Sequence, residues 1–62
     1  MCEANAYLIK EGKEELVMES VETVEPKADG TWHLKGIFGD QKTVKGRFRE
    51  MNLVDHKIIF EV

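Results

Sequence analysis

Sixty-two residues with a formal charge of −3 exclude a multidomain protein and, for one domain, the strongly basic balance of a dedicated nucleic-acid binder. A single cysteine excludes an intrachain disulfide. No apolar run approaches the roughly 20 residues of a membrane span, and the start MCEANAYLIKEGK lacks the basic and apolar regions of a secretory signal, so a cytoplasmic protein without membrane contact is expected.

A chain this short buries only about 60% of its unfolded surface. Small domains make up the deficit with a disulfide, a metal or a partner subunit, and here only metal and partner remain. The periodicity is that of strands. A first apolar run over about 2–10 ends at Glu11-Gly12, and a second strand over about 15–24 is expected to bend near Ser20 or Val21. Asp29-Gly30 is a hairpin signal because both residues tolerate positive φ. Trp32 and Leu34 alternate with His33 and Lys35 in a third strand over about 30–38, closed by a turn at Phe38-Gly39-Asp40. Val44, Gly46 and Phe48 alternate with Lys45, Arg47 and Arg49 in a fourth over about 42–51. A loop from Asn52 to His56 precedes a last strand over about 57–62.

The pattern predicts one all-β domain, residues 1–62, built as a small antiparallel β-barrel or barrel-like sheet of five or six short strands. The expected core is Leu8, Leu16, Met18, Val21, Val24, Trp32, Leu34, Phe38, Val44, Phe48, Leu53, Ile58 and Phe60. Tyr7, Ile9, Ile37 and Ile59 fall on the opposite face. They fit either a subunit interface or the second wall of a closed barrel.

No nucleophile–base–orienter set accompanies Ser20, and Gly36 and Gly39 read as a strand kink and a turn, so no enzyme is expected. Cys2 stands out by position. Removal of Met1 would expose an amine and a thiolate one short chelate apart, and a deprotonated peptide nitrogen could complete a nitrogen–sulfur chelate. Such nitrogen–sulfur donors suit Ni(II) or Cu(II) in tetragonal geometry, and a two-fold dimer could supply two thiolates to one metal. On residue type alone, Cys2 reads as an inert small hydrophobe, and its position is what favours the ligand.

The rival ligands are weaker. His33 reads as a solvent-facing strand residue. Asp55-His56 reads as turn chemistry, with an outside reading as an oriented metal ligand. Glu3 reads as a solvated charge beside Cys2. No CxxC, HxH or HExxH spacing exists for a closed zinc site. Lys45, Arg47 and Arg49, with Lys42 ahead of them, form a basic stripe whose better reading is cross-strand pairing with Glu14, Glu15, Glu19 or Glu22. The alternative is a small SH3-like or OB-like RNA-binding module using that face.

The opening Met1-Cys2-Glu3-Ala4-Asn5-Ala6-Tyr7-Leu8-Ile9 resembles the start of the CooT family, small nickel-binding accessory proteins of carbon monoxide dehydrogenase. Phe38-Gly39 and Leu53-Val54-Asp55-His56-Lys57-Ile58 resemble it as well, and the likeness runs over nearly the whole chain. The resemblance implies a homodimer of small β-rich subunits holding one Ni(II) at the interface through Cys2 of each chain. It implies a metallochaperone or nickel store, whose client is a nickel enzyme such as carbon monoxide dehydrogenase or its maturation machinery.

Overall fold

The computed structural model describes residues 4–62, and these residues build six strands with no α-helix. The strands are β1 (Ala4–Lys10), β2 (Lys13–Pro26), β3 (Thr31–Gly36), β4 (Gln41–Lys45), β5 (Arg47–Asn52) and β6 (Lys57–Glu61). A short 3-10 turn, Ala28–Gly30, joins β2 to β3. The hairpin between β1 and β2 has two residues, Glu11 (φ 52°) and Gly12 (φ 77°). Two positive φ values in succession match the right-handed twist of the strands they join.

β2 is long because it serves two neighbours. Its first part pairs antiparallel with β1, and from Val21 onward it pairs antiparallel with β3. The handover is at the expected bend. Ser20 has φ 53°, and Val21 is the register partner of both Ala4 and Gly36. Irregular pairing lies on either side, between Ala4 and Tyr7 along β1 and between Val21 and Thr23 along β2. Such bulges bend a strand and increase its twist, which lets one sheet curl over itself.

The sheet order is β4-β3-β2-β1-β6-β5. The expected all-β, barrel-like sheet is found, with two particulars that the alternation did not show. β6 lies parallel to β1 while every other pair is antiparallel. The expected strand over 42–51 is two strands, β4 and β5, and these occupy opposite edges of the sheet. Gly46 alone separates them. Its N–H donates to the Gly30 carbonyl at 2.9 Å and its carbonyl accepts from Trp32 Nε1 at 3.1 Å. On its other side a Cβ would stand 2.8 Å from the backbone oxygen of Glu61. The sheet turns its corner at the one residue that fits between β3 and β6. No ladder joins β4 to β5, so the barrel stays open along that seam.

The core lies inside the curl: Ala6, Met18, Val21, Leu34, Val44, Ile58 and Phe60, with Leu8, Val17, Val24 and Trp32 packed against it. Trp32, Phe48 and Phe60 form a three-ring cluster with centroids 5.5–5.9 Å apart. Four expected core residues are exposed. Leu16 pairs with Tyr7 on the outer face, because the irregular pairing of β1 with β2 changes which side chains share a side. Phe38 (85% exposed) and Leu53 (70%) sit in turns, and Phe48 is partly open at the seam while still touching Trp32 and Phe60. Ile59 is buried on the face opposite Ile58 and Phe60, beside its register partners Tyr7 and Glu50. It therefore belongs to the second face of this subunit's own sheet. Ile37 remains exposed.

Candidate metal centre

Cys2, the expected ligand, lies outside the described residues, as does Glu3. The described chain begins at Ala4, and the residue that fixes its course is Asn5. The Asn5 N–H donates to the His56 carbonyl at 2.8 Å, and Asn5 Oδ1 accepts from the Ser20 N–H at 3.1 Å. Both partners have positive φ, 53° at Ser20 and 55° at His56. The kink at Ser20 turns its N–H toward the asparagine side chain. The start of β1 is thus tied to the bend of β2 on one side and to the turn before β6 on the other, three residues after Cys2.

The second tie is itself braced. Asn52 Oδ1 accepts from the N–H groups of Val54 (3.1 Å) and Asp55 (3.0 Å), an Asx-type turn that shapes Leu53–His56. Leu53 and Val54 project from it, 70% and 87% exposed. On the outer face nearby, Lys57 Nζ stands 5.0 Å from the centre of the Tyr7 ring and 3.5 Å from Glu14 Oε2.

The two histidines do not come together. His33 is on β3, two strands from β1, and its Nε2 donates to Gln41 Oε1 at 2.9 Å. His56 contributes its backbone to the anchor of β1. Among the described residues no side-chain hydrogen bond joins Asp55 to His56, and no three His, Cys, Asp or Glu gather around one point. The basic stripe is broken. Lys45 and Arg47 flank the Gly46 corner on different strands, and Arg49 binds Glu61 Oε1 at 2.8 Å. Cross-strand pairing does occur, but its acid is Glu61; the β2 glutamate Glu14 pairs with Lys57 instead. Alternation does not single out Asn5 and Ser20 as anchors. Their signal was present: two small polar residues of poor strand propensity inside strand sequence.

These features define a class: a six-stranded, incompletely closed β domain whose first strand is pinned at its N-terminal end. Within that class the chain belongs to the CooT family, matching the CO dehydrogenase accessory protein CooT over residues 1–61. It is similar to a crystal structure from Carboxydothermus hydrogenoformans of a protein assigned as CooT. That likeness has a TM-score of 0.87 and 40% identity, and covers 97% of this chain and 95% of that one. It is also 38% identical over 61 residues to an uncharacterized protein of Methanocaldococcus jannaschii, covering 98% of each chain. The family's role is accessory to carbon monoxide dehydrogenase. Among the described residues no helix is long and apolar enough to cross a membrane.

Proposed function

We propose that this chain is a Ni(II)-binding protein of the cytoplasm, a chaperone or store that serves maturation of carbon monoxide dehydrogenase or another nickel enzyme. The family match carries this reading, because it extends over the first seven residues as well as the β framework. Cys2 is the sole thiol of the chain and the donor best suited to a borderline metal. In a homodimer the Cys2 thiolate of each chain would hold one shared Ni(II), with backbone nitrogen as the further donor.

Two features of the described residues support a working site at that end. Asn5 fixes the direction in which the chain enters β1. Leu53 and Val54 expose an apolar pair on the turn bonded to Asn5, which gives a second copy something to cover at the same end. The RNA-binding alternative loses support, since Arg49 is engaged by Glu61 and no aromatic side chain lines the hollow that Lys45 and Arg47 share. Titration of Ni(II) into wild type and Cys2→Ser, with metal-to-dimer stoichiometry, tests the reading. One metal per wild-type dimer and none in the variant is expected. Unchanged affinity in Cys2→Ser would refute it.

A further inference from the structure

The opposite end of β1 carries a different surface. The end of β1, the Gly46 corner and the end of β6 surround a shallow hollow of about 580 Å³. Its β1 lining, Leu8 and Lys10, lies four and six residues along the strand from Ala4, roughly 13–20 Å away at the usual strand rise. Its apolar surface comes from Leu8 and Val62, and Val62 is 65% exposed. Lys10, Lys45 and Arg47 stand around it with one side-chain carboxylate, Glu61, which Arg49 already holds at 2.8 Å. Among the described residues no carboxylate lies within ion-pair distance of those three cations.

The hairpin beside the hollow adds to the imbalance. Lys10 and Lys13 are register partners, with Glu11-Gly12 as the turn between them. Like charges directly opposite each other on a sheet repel. A chain of net charge −3 therefore places Lys10, Lys45 and Arg47 around exposed apolar surface, with Lys13 across the hairpin from Lys10. Edge strand β4 ends and edge strand β5 begins at this corner, and among the described residues their outer edges carry no strand. Such edges can hydrogen-bond an extended segment.

The geometry points to a docking site for an acidic segment of a partner polypeptide, with one apolar side chain resting on Leu8 and Val62 and flanking carboxylates meeting Lys10, Lys45 and Arg47. A small anion fits this surface poorly. Sites for small molecules enclose most of the ligand, and this hollow is open to water. A nucleic acid fits poorly too, because no aromatic side chain lines it for a base to stack on. The site is remote from the N-terminal end and does not depend on metal binding there.

The test uses the full chain and a fluorescein-labelled peptide, Glu-Leu-Glu-Val-Glu-Leu-Glu, followed by fluorescence anisotropy. Saturable binding that weakens between 20 and 150 mM salt is expected. The double variant Lys10→Glu/Arg47→Glu should weaken it at least about tenfold, as for charges that face a complementary partner, while Lys35→Glu on β3 leaves it unchanged. A peptide with serine at the three apolar positions should bind several-fold more weakly. On wild-type protein, NMR shift changes should cluster at the amides of Lys10, Lys45, Gly46 and Arg47, a readout that needs no variant to fold. Absence of saturable binding, equal loss in Lys35→Glu, shift changes elsewhere, or tighter binding of a 12-nucleotide single-stranded RNA than of the peptide would each overturn the proposal.

Discussion

Asn5 and His56, 51 positions apart in sequence, are joined by a 2.8 Å hydrogen bond from the Asn5 N–H to the His56 carbonyl. This bond starts the parallel pairing of the first strand with the last, which continues from Asn5↔Lys57 to Ile9↔Glu61. It also fixes the start of the described chain at β1, three residues after Cys2 in sequence.

Asn5→Ala tests this anchor. The substitution leaves the Ser20 N–H without its acceptor in a partly buried position, at a cost of about 1 kcal/mol. For a chain of this size that corresponds to a fall in Tm of roughly 4–8 °C. If the anchor orients the metal-binding end, Ni(II) affinity should fall as well, well below the temperature at which the variant unfolds. Thermal denaturation and a metal titration at 15 °C separate the two effects.

Nickel binding should be proton-linked. An ordinary cysteine thiol has a pKa of about 8.5, so at neutral pH most thiols must lose a proton when the metal binds, and amide ligation releases more. Apparent affinity should therefore rise from about pH 6 to 8, with a thiolate-to-nickel charge-transfer band that Cys2→Ser abolishes. His33→Ala and His56→Ala should keep that band. Wild-type nickel affinity in Cys2→Ser, together with its loss in His56→Ala, would move the site to the 52–56 turn.

Self-association should follow from the exposed apolar tip. Sedimentation equilibrium of the nickel-loaded protein at micromolar concentration should give twice the chain mass. Leu53→Asp with Val54→Asp should shift the population toward monomer while leaving the fold intact, because both side chains are in water in the isolated subunit. A monomer that binds nickel with full affinity would contradict the shared-metal reading.

Gly46→Ala should be the most damaging single methyl in the chain's corner. The new Cβ meets the Glu61 backbone oxygen at 2.8 Å, and no side-chain rotation relieves a clash with backbone. A loss of about 1–3 kcal/mol is expected from overpacking at this position, measured by urea denaturation.

The Glu11 turn should be improvable. Glu11 holds φ 52°, a conformation that asparagine adopts more readily than glutamate in a two-residue hairpin. Glu11→Asn should stabilise the fold by about 0.5–1 kcal/mol, read from the same denaturation midpoint.

What the sequence determined by itself was local. The pattern marked five strand ranges, one of which covers both β4 and β5, and Glu11-Gly12, Asp29-Gly30 and Gly39 marked turns where positive φ is found. The bend at Ser20 and Val21 was legible, as was the likeness of the first seven residues to the CooT family. Tertiary structure alone decided which strands became neighbours. Alternation runs unbroken through Val44, Gly46 and Phe48, because a corner at glycine leaves no mark on a period of two; the break is imposed by Gly30 and Glu61 closing on either side. For the same reason the parallel pairing of β1 with β6, the burial of Ile59 and the exposure of Leu16 could not be read in advance. Each depends on register between distant segments, and one bulged residue is enough to exchange the two faces of a strand.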